Sequence, residues 1–390
     1  MYRDSTQARK LALHDMRIAI DAHSVGARLA GNETYAVNLI EALAEIDQSN
    51  QYTLYVTKES AVERFANRWP NFKVQRTLPH TPLVRIPLTL SRELRRHPVD
   101  VLHVQYTAPP FAPCPIVSTI HDLSFEHLPE TFNRRSWMQL RLTVRHTARR
   151  AAQITTLSEY SRQDITQTYG IDPEIITVTP AAAAPMFKRV NNETELQRVR
   201  ETYGIDGDYI LSLCSIQPRK NLRRLIEAYS LLRRLHPGGK LPKLVLAGKR
   251  GWLENETMQA ARGDESSGNI RFTGYVADEQ LNALYSGAIC FVYPSYFEGF
   301  GLPILEAMKC GTPVIAGNRT SIPEVAGEAA LLFDPFDVHS LVAALQRVLD
   351  DREYRAALGA KGLQRASEFS WQTTARLTLD AYQRATAQQL

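Results

Sequence analysis

A chain of 390 residues with 44% hydrophobic and 22% charged residues has an ordinary globular composition, and at roughly 100–200 residues per domain it divides into two domains or three. A net charge of only +5 makes no case for nucleic acid as a partner, and no apolar run approaches the ~18–20 residues of a membrane span. Cys114, Cys214, Cys290 and Cys310 form no CxxC pair, so they read as small buried hydrophobes in a reducing compartment, not as a disulfide framework or a metal site.

Residues 1–15 lack the apolar stretch of a signal peptide and read as a poorly ordered extension or an upstream start, which places the protein in the cytoplasm. From "MRIAIDAHS" onward, apolar runs predict strands over 17–22, 52–56, 72–76, 99–104, 116–121, 154–157 and 175–179. Helical patterns lie between several of them, clearest over 32–46 and 134–151. Strands alternating with helices predict a parallel sheet covered on both faces. The stretch 76–150 holds 11 Arg against 5 Asp and Glu, read either as solvated helix faces or as a surface toward an anionic lipid or phosphorylated partner.

Prolines, an alanine run and polar residues in "VTPAAAAPMFKRVNNETE" mark a linker at about 180–195. The pattern then restarts, with strands over 209–215, 244–247, 269–273, 288–293 and 313–316 and helices over 221–235, 278–286 and 303–309. Three helical stretches close the chain, the last over about 371–387. The expected fold is α/β, two domains of similar size with their sheets' carboxyl ends facing a cleft. Asp206-Gly207-Asp208 has the spacing of a metal-binding Asp-x-Asp but reads as a turn before a strand, since Asp-Gly is a turn signal.

Within "YFEGFGLPILEAMKCGTPVIAG", Glu298 and Glu306 flank a Gly-Phe-Gly-Leu-Pro turn. Gly299 and Gly301 let another molecule approach the main chain. Pro303 suits a helix's first turn, whose unpaired N–H groups and dipole favour phosphate. Carboxylates would repel that phosphate but accept hydrogen bonds from hydroxyls, so Glu306 can hold a ribose and Glu298 a sugar. The bland alternative is a capped helix with two surface acids. Arg219 and Lys220 in "SIQPRKNLRRL" sit where a departing diphosphate needs cations, although an exposed basic helix start is the commoner meaning.

"EGFGLPILE", "AMKCGTPVIA" and "IPEVAGEAALLFDP" resemble family-4 glycosyltransferases, retaining enzymes of the GT-B fold, over nearly the whole chain from about Met16 to Tyr382. The resemblance implies two Rossmann-like domains facing across a cleft: an acceptor-side domain over 16–185, a nucleotide-sugar domain over 195–368, and a final helix over 370–390 packing back on the first. It implies that Glu306 binds the donor ribose, that Glu298 contacts the transferred sugar, and that the N–H groups of Gly299, Phe300, Gly301 and Leu302 meet sugar and diphosphate. Lys220 is the expected phosphate cation. The Arg that many members carry five or six residues earlier is replaced here by Ser215 or Cys214, which leaves open whether Arg219 supplies the second charge. His121, in "VSTIHDLSFEHLPETF", is expected at the donor sugar and reaction centre; without the resemblance a lone His after a strand is more often structural. Gly31 and Asn32 stand for the family's glycine-rich loop, with Ala30 at one glycine position. Val276, next to Tyr275, is expected near the base, and Lys249 beside the donor pocket.

The implied activity is transfer of a sugar from a nucleoside-diphosphate donor to a hydroxyl acceptor in polysaccharide or glycolipid assembly, with no cofactor and no metal. GDP-mannose is the expected donor, because the "VSTIHDLSFEHLPETF" string resembles mannosyltransferase members. The alternatives are a UDP-sugar donor or a nucleotide-sugar-binding protein without activity. The acceptor is expected to be a glycan or a lipid-linked molecule. In relatives with lipid-linked acceptors a basic face such as Arg141, Arg145 and Arg149 on the 134–150 helix can rest on the membrane, here its inner face.

Overall fold

This computed structural model describes residues 15–27, 31–238, 241–248, 255–266 and 268–387. All of the expected extension except Asp15 lies outside them. Seven strands form the first sheet: β1 (Arg17–Asp21), β2 (Gln51–Val56), β3 (Phe72–Arg76), β4 (Val101–Gln105), β5 (Ile116–Thr119), β6 (Gln153–Thr156) and β7 (Ile176–Val178). Their order is β3-β2-β1-β4-β5-β6-β7, and every pairing is parallel. Six form the second: β8 (Tyr209–Leu213), β9 (Lys243–Ala247), β10 (Ile270–Gly274), β11 (Cys290–Tyr293), β12 (Val314–Gly317) and β13 (Ala330–Phe333). Their order is β10-β9-β8-β11-β12-β13, again all parallel. Of these strands, β13 is the one the apolar runs did not predict.

Strand alternation assigns the two faces of each sheet. In β1, Ile18 and Ile20 pack with the helices Gly31–Ile46 and Trp371–Ala387, while Ala19 faces Leu90, Leu94, Val144 and Ala148 on the other side. In the second sheet Leu211, Phe291 and Tyr293 meet the helix Leu302–Lys309, and Ile210, Cys290 and Val292 meet the helices Leu222–Leu235 and Val338–Asp350. Both faces are covered, so the strands read as apolar runs.

One core runs through both domains. The segment expected as a linker is not a loose tether, because Ala181, Ala182, Ala183 and Phe187 are buried in that shared core. The helix Trp371–Ala387 returns to the first sheet, where the Tyr382 hydroxyl lies 2.6 Å from His103 Nδ1 and Trp371 meets Tyr35 edge-on. In each sheet the strand order reverses once, between β1 and β4 and between β8 and β11, and at such points the carboxyl ends open a crevice.

Candidate active site

The chain leaves β11 at Tyr293, turns through Pro294–Gly301 and enters the helix Leu302–Lys309, with Gly301 at φ +111° and Pro303 in its first turn. The loop after β12 clamps this turn: the Glu298 N–H donates to Thr320 Oγ1 at 3.0 Å, and Ser321 Oγ donates to the Glu298 carbonyl at 2.8 Å. Thr320 itself sits at φ +55°, a conformation costly for a β-branched residue and typical of sites whose geometry is over-determined. Among the described residues, none of the N–H groups of Gly299, Phe300, Gly301 and Leu302 meets a protein acceptor.

Glu298 is buried between two cations. Its Oε1 is 2.5 Å from Lys220 Nζ and its Oε2 2.8 Å from Arg219 Nη1. Lys220 also donates to the Tyr293 hydroxyl at 2.9 Å and Arg219 to the Phe297 carbonyl at 3.0 Å. Both cations come from the single turn Pro218–Lys220 after β8, not from the helix itself. The left-handed Asn221 ends that turn and donates to the carbonyls of Pro294 and Pro335. Burial alone would raise the Glu298 carboxyl, but the Arg219 and Lys220 charges overturn that and bring it down to about 2. Burial, then the like charge of Arg219, lowers Lys220. For Arg219 burial is outweighed by Glu298, and its affinity for the proton rises. Two cations face the Glu298 carboxylate here, with the Asp122 charge also acting on Arg219, and the N–H groups beside them that meet no protein acceptor suit an anion. Cys214 is a buried thiol pushed up to about 12 by desolvation and adds no charge.

The first domain meets this turn at His121. A Cβ on Gly299 would lie 2.0 Å from the His121 carbonyl oxygen, so only glycine permits the approach. Ser158 Oγ and Ser161 Oγ, at the N-cap and in the first turn of the helix Glu159–Tyr169, donate to the Gly299 carbonyl at 2.8 and 3.3 Å. Glu324 reaches across as well and accepts from the N–H groups of Glu159 and Tyr160, capping a first-domain helix from the second domain. The His121 ring is buried edge-on against Tyr35 and Tyr106. Its Nε2 is 3.2 Å from Gln105 Oε1. Gln105 spends its amide N–H groups on Ser24 Oγ and the Asn32 carbonyl, so the oxygen faces His121, which donates from Nε2. Burial lowers His121 to about 4, so the ring is neutral near pH 7.

Glu306 lies on the other side of the turn and takes a different state. It accepts from the Tyr285 hydroxyl at 2.9 Å, pairs with no cation among the described residues, and is raised to about 7 by desolvation, with Asp278 adding a smaller push. Gly31 opens the helix Gly31–Ile46 in open space, and Asn32 is linked to His121 through Gln105. Val276 is buried and Tyr275 largely exposed at the end of β10, outside the Glu298 cluster. Lys249 and Ala30 lie outside the described residues. The Asp206-Gly207-Asp208 stretch is a bend, with Gly207 at φ +75° and Asp206 paired to Lys243.

Residues 195–365 match the family model for glycosyl transferases group 1, and residues 29–182 match that for glycosyltransferase family 4. Over 68% of this chain and 69% of the relative, the sequence is 37% identical to the O-antigen chain mannosyltransferase B of Escherichia coli. The chain belongs to glycosyltransferase family 4. It is also 31% identical to the MMP alpha-(1->4)-mannosyltransferase of Mycolicibacterium hassiacum, over 70% of this chain and 66% of that one. The serotype-specific mannosyltransferase WbdA of Escherichia coli matches at 34% over 60% of this chain, which spans 29% of that relative's length.

Among solved structures, the sucrose-phosphate synthase of Thermosynechococcus elongatus superposes with a TM-score of 0.74 at 20% identity, over 96% of this chain and 100% of that one. WaaG, a glycosyltransferase involved in lipopolysaccharide biosynthesis, superposes at 0.69 and 18%, over 93% of this chain and 98% of that one. The family-4 glycosyltransferase thus has the GT-B fold. Around its candidate site, the sequence did not single out Gln105, Tyr285, Tyr293, Ser158, Ser161 or Thr320, each of which reaches the site through tertiary packing.

Proposed function

We propose that this glycosyltransferase moves mannose from GDP-mannose to a hydroxyl of a growing glycan or glycolipid, retaining the anomeric configuration. The observation that carries the reading is the Lys220–Glu298–Arg219 cluster beside the unpaired N–H groups of residues 299–302, pressed against His121. Mannose is favoured because relatives matched over about two thirds of the chain are named as mannosyltransferases.

In this reading the bond from the anomeric carbon to the β-phosphate oxygen breaks while the acceptor oxygen bonds to the same face of that carbon. The acceptor's proton passes to the departing phosphate oxygen, so no protein base is assigned. Lys220, Arg219 and the N–H groups of Gly299 to Leu302 stabilise the charge that grows on the diphosphate. Glu298 keeps lone pairs free after its two ion pairs and accepts from the sugar's hydroxyls. His121, neutral, positions the sugar, and Glu306 accepts from the ribose. Gly31, Asn32, Lys249, Tyr275 and Val276 border the donor. Closure of the two domains excludes the water that would hydrolyse the donor. The enzyme works without a cofactor or metal, in the cytoplasm, peripheral to the inner membrane face.

The test is a thermal-shift panel of GDP, UDP, ADP and their sugars, followed by transfer assays with the nucleotide that binds. GDP and GDP-mannose should raise the midpoint most, since a ligand at about 100 times its Kd adds roughly 2.7 kcal/mol. Selective stabilisation by UDP would move the donor to a UDP-sugar. Binding without transfer to any glycan acceptor would leave a nucleotide-sugar-binding protein.

A further inference from the structure

Phe336 follows β13 in a loop whose backbone is firmly held, yet its ring stands in water. The Phe336 N–H donates to Asp334 Oδ1 at 3.0 Å and its carbonyl accepts from Arg224. The Pro335 carbonyl accepts from Asn221 at 2.8 Å, and the Asp334 N–H donates to Ser340 Oγ at 3.1 Å. The ring is nevertheless 56% exposed. The partly exposed Tyr296, in the turn after β11, lies beside it, with ring centroids 5.6 Å apart and planes tilted by 34°. From the loop after β12, Arg319 comes within 5.6 Å of the Phe336 ring centre and pairs with Asp334 at 3.3 Å, both still open to solvent. Two neighbouring rings on a backbone this well fixed offer stacking area at little entropic cost.

The place of these rings in the sheet says what would stack there. β10 and β13 are the two edges of the second sheet, and the switch point between β8 and β11 lies between them. The loop after β8 carries Arg219 and Lys220, and the turn after β11 carries Glu298. In the donor orientation proposed above, the base lies toward Tyr275 and Val276 at the end of β10, and the sugar reacts at the switch point. The loops after β12 and β13 then lie on the side away from the base. They are also tied to the reacting centre. Asn221, which ends the cation turn, donates to the carbonyls of both Pro294 and Pro335, and the Tyr296 N–H donates to the Arg219 carbonyl at 3.2 Å. Phe297, next to Tyr296, packs against His127 and Tyr160 of the first domain, so the two rings stand at a rim where the domains meet.

We propose that Tyr296 and Phe336 form a stacking platform for the acceptor glycan, on the second domain and beyond the acceptor unit that reacts. A pyranose carries C–H bonds on its faces and hydroxyls around its edge, so a face lies on an aromatic ring while the hydroxyls bond to polar groups beside it. Arg319 and Asp334 are such groups, a donor and an acceptor next to the rings. A platform without walls receives a chain of any length, whereas a small acceptor would be held in an enclosed pocket. The inference rests on the transfer reading and the donor orientation given above.

The test is titration calorimetry of the full chain with α-mannohexaose and with methyl α-mannoside, with and without GDP, beside initial rates with each as acceptor. The wild type should bind the hexaose roughly tenfold more tightly than the monosaccharide. Phe336→Ala should weaken the hexaose by roughly tenfold, and Tyr296→Ala/Phe336→Ala by more, seen as a raised KM with kcat, GDP affinity and melting midpoint unchanged. Phe336→Trp, which keeps a ring, should bind the hexaose as the wild type does. The proposal fails if the wild type does not prefer the hexaose, or if both alanine variants bind it as the wild type does. It fails if the variants lose GDP instead, which would give the rings to the donor base. It also fails if sedimentation velocity shows a dimer that Phe336→Ala dissolves, which would give this face to a second copy of the chain. Calorimetry needs no turnover, so hexaose binding that depends on Phe336 in a protein that transfers to no acceptor would keep the platform and end the transfer reading.

Discussion

Glu298 lies in the turn after β11 and Glu306 in the helix that follows; burial acts on both, yet among the described residues only Glu298 has cations to compensate. Lys220 and Arg219 at 2.5 and 2.8 Å bring Glu298 to about 2, while Glu306, with only a tyrosine hydroxyl, rises to about 7. If Glu306 holds the ribose as proposed, its hydroxyls donate to the ionised form, so nucleotide affinity should fall as pH drops through about 7. Titration calorimetry of the preferred nucleoside diphosphate against pH should show this fall, and Glu306→Gln should bind more weakly with a flatter profile. Without ligand the sign reverses. A carboxyl raised from its ordinary value of 4.5 to about 7 contributes stability that is full below 4.5 and lost as pH rises through 7. Glu306→Gln should remove that slope in urea unfolding, an effect on the order of 1 kcal/mol for a partly exposed group. Glu298→Gln should lower kcat by about 10²–10³-fold, if losing one preorganised group costs what it does at other charge-stabilising sites. Its measured kcat near wild type would end the role given to Glu298. The acids, the glycines and the two cations were legible because turn chemistry is local. Gln105 and Tyr293 were not, because one reaches His121 and the other Lys220 only through the pairing of β4 with β5 and of β8 with β11.

At the scale of elements, the turn between β11 and the helix Leu302–Lys309 is one place where the two domains touch, and Gly299 sets how closely they approach there. Gly299→Ala should push the domains apart, since its Cβ would lie 2.0 Å from the His121 carbonyl oxygen and 2.8 Å from Asp122 Cβ. A radius of gyration larger than wild type by small-angle scattering, with a loss of about 1–3 kcal/mol of stability, is the expected result. An unchanged radius with full activity would show that the contact is dispensable. Most strands were legible because parallel strands buried on both faces are continuous apolar runs. β13 was missed for the converse reason: it is a four-residue edge strand, and its first three residues are only partly buried. The 82–96 segment defeats pattern reading differently. No apolar pattern marks it, and Arg85 is buried there because its guanidinium pairs with both carboxylate oxygens of Asp21, far off in sequence.

For the whole molecule, the helix Trp371–Ala387 is a structural part of the first domain although it follows the second. It supplies Tyr382 to His103, Trp371 to Tyr35 and Thr374 to the Pro180 carbonyl. A chain ending at residue 370 should lose the fold of the first domain, seen as aggregation or loss of its cooperative melting transition. A truncated chain that melted like the wild type would refute this. The same helix means that the backbone passes between the domains twice, once after β7 and once between the helices Arg352–Ser367 and Trp371–Ala387. Two parallel straps form a door hinge: they allow swinging about the line joining them and resist twisting and sliding. If the domains close on the donor as proposed, their opening should be close to a one-coordinate motion, which a single donor–acceptor dye distance across the mouth should follow through turnover.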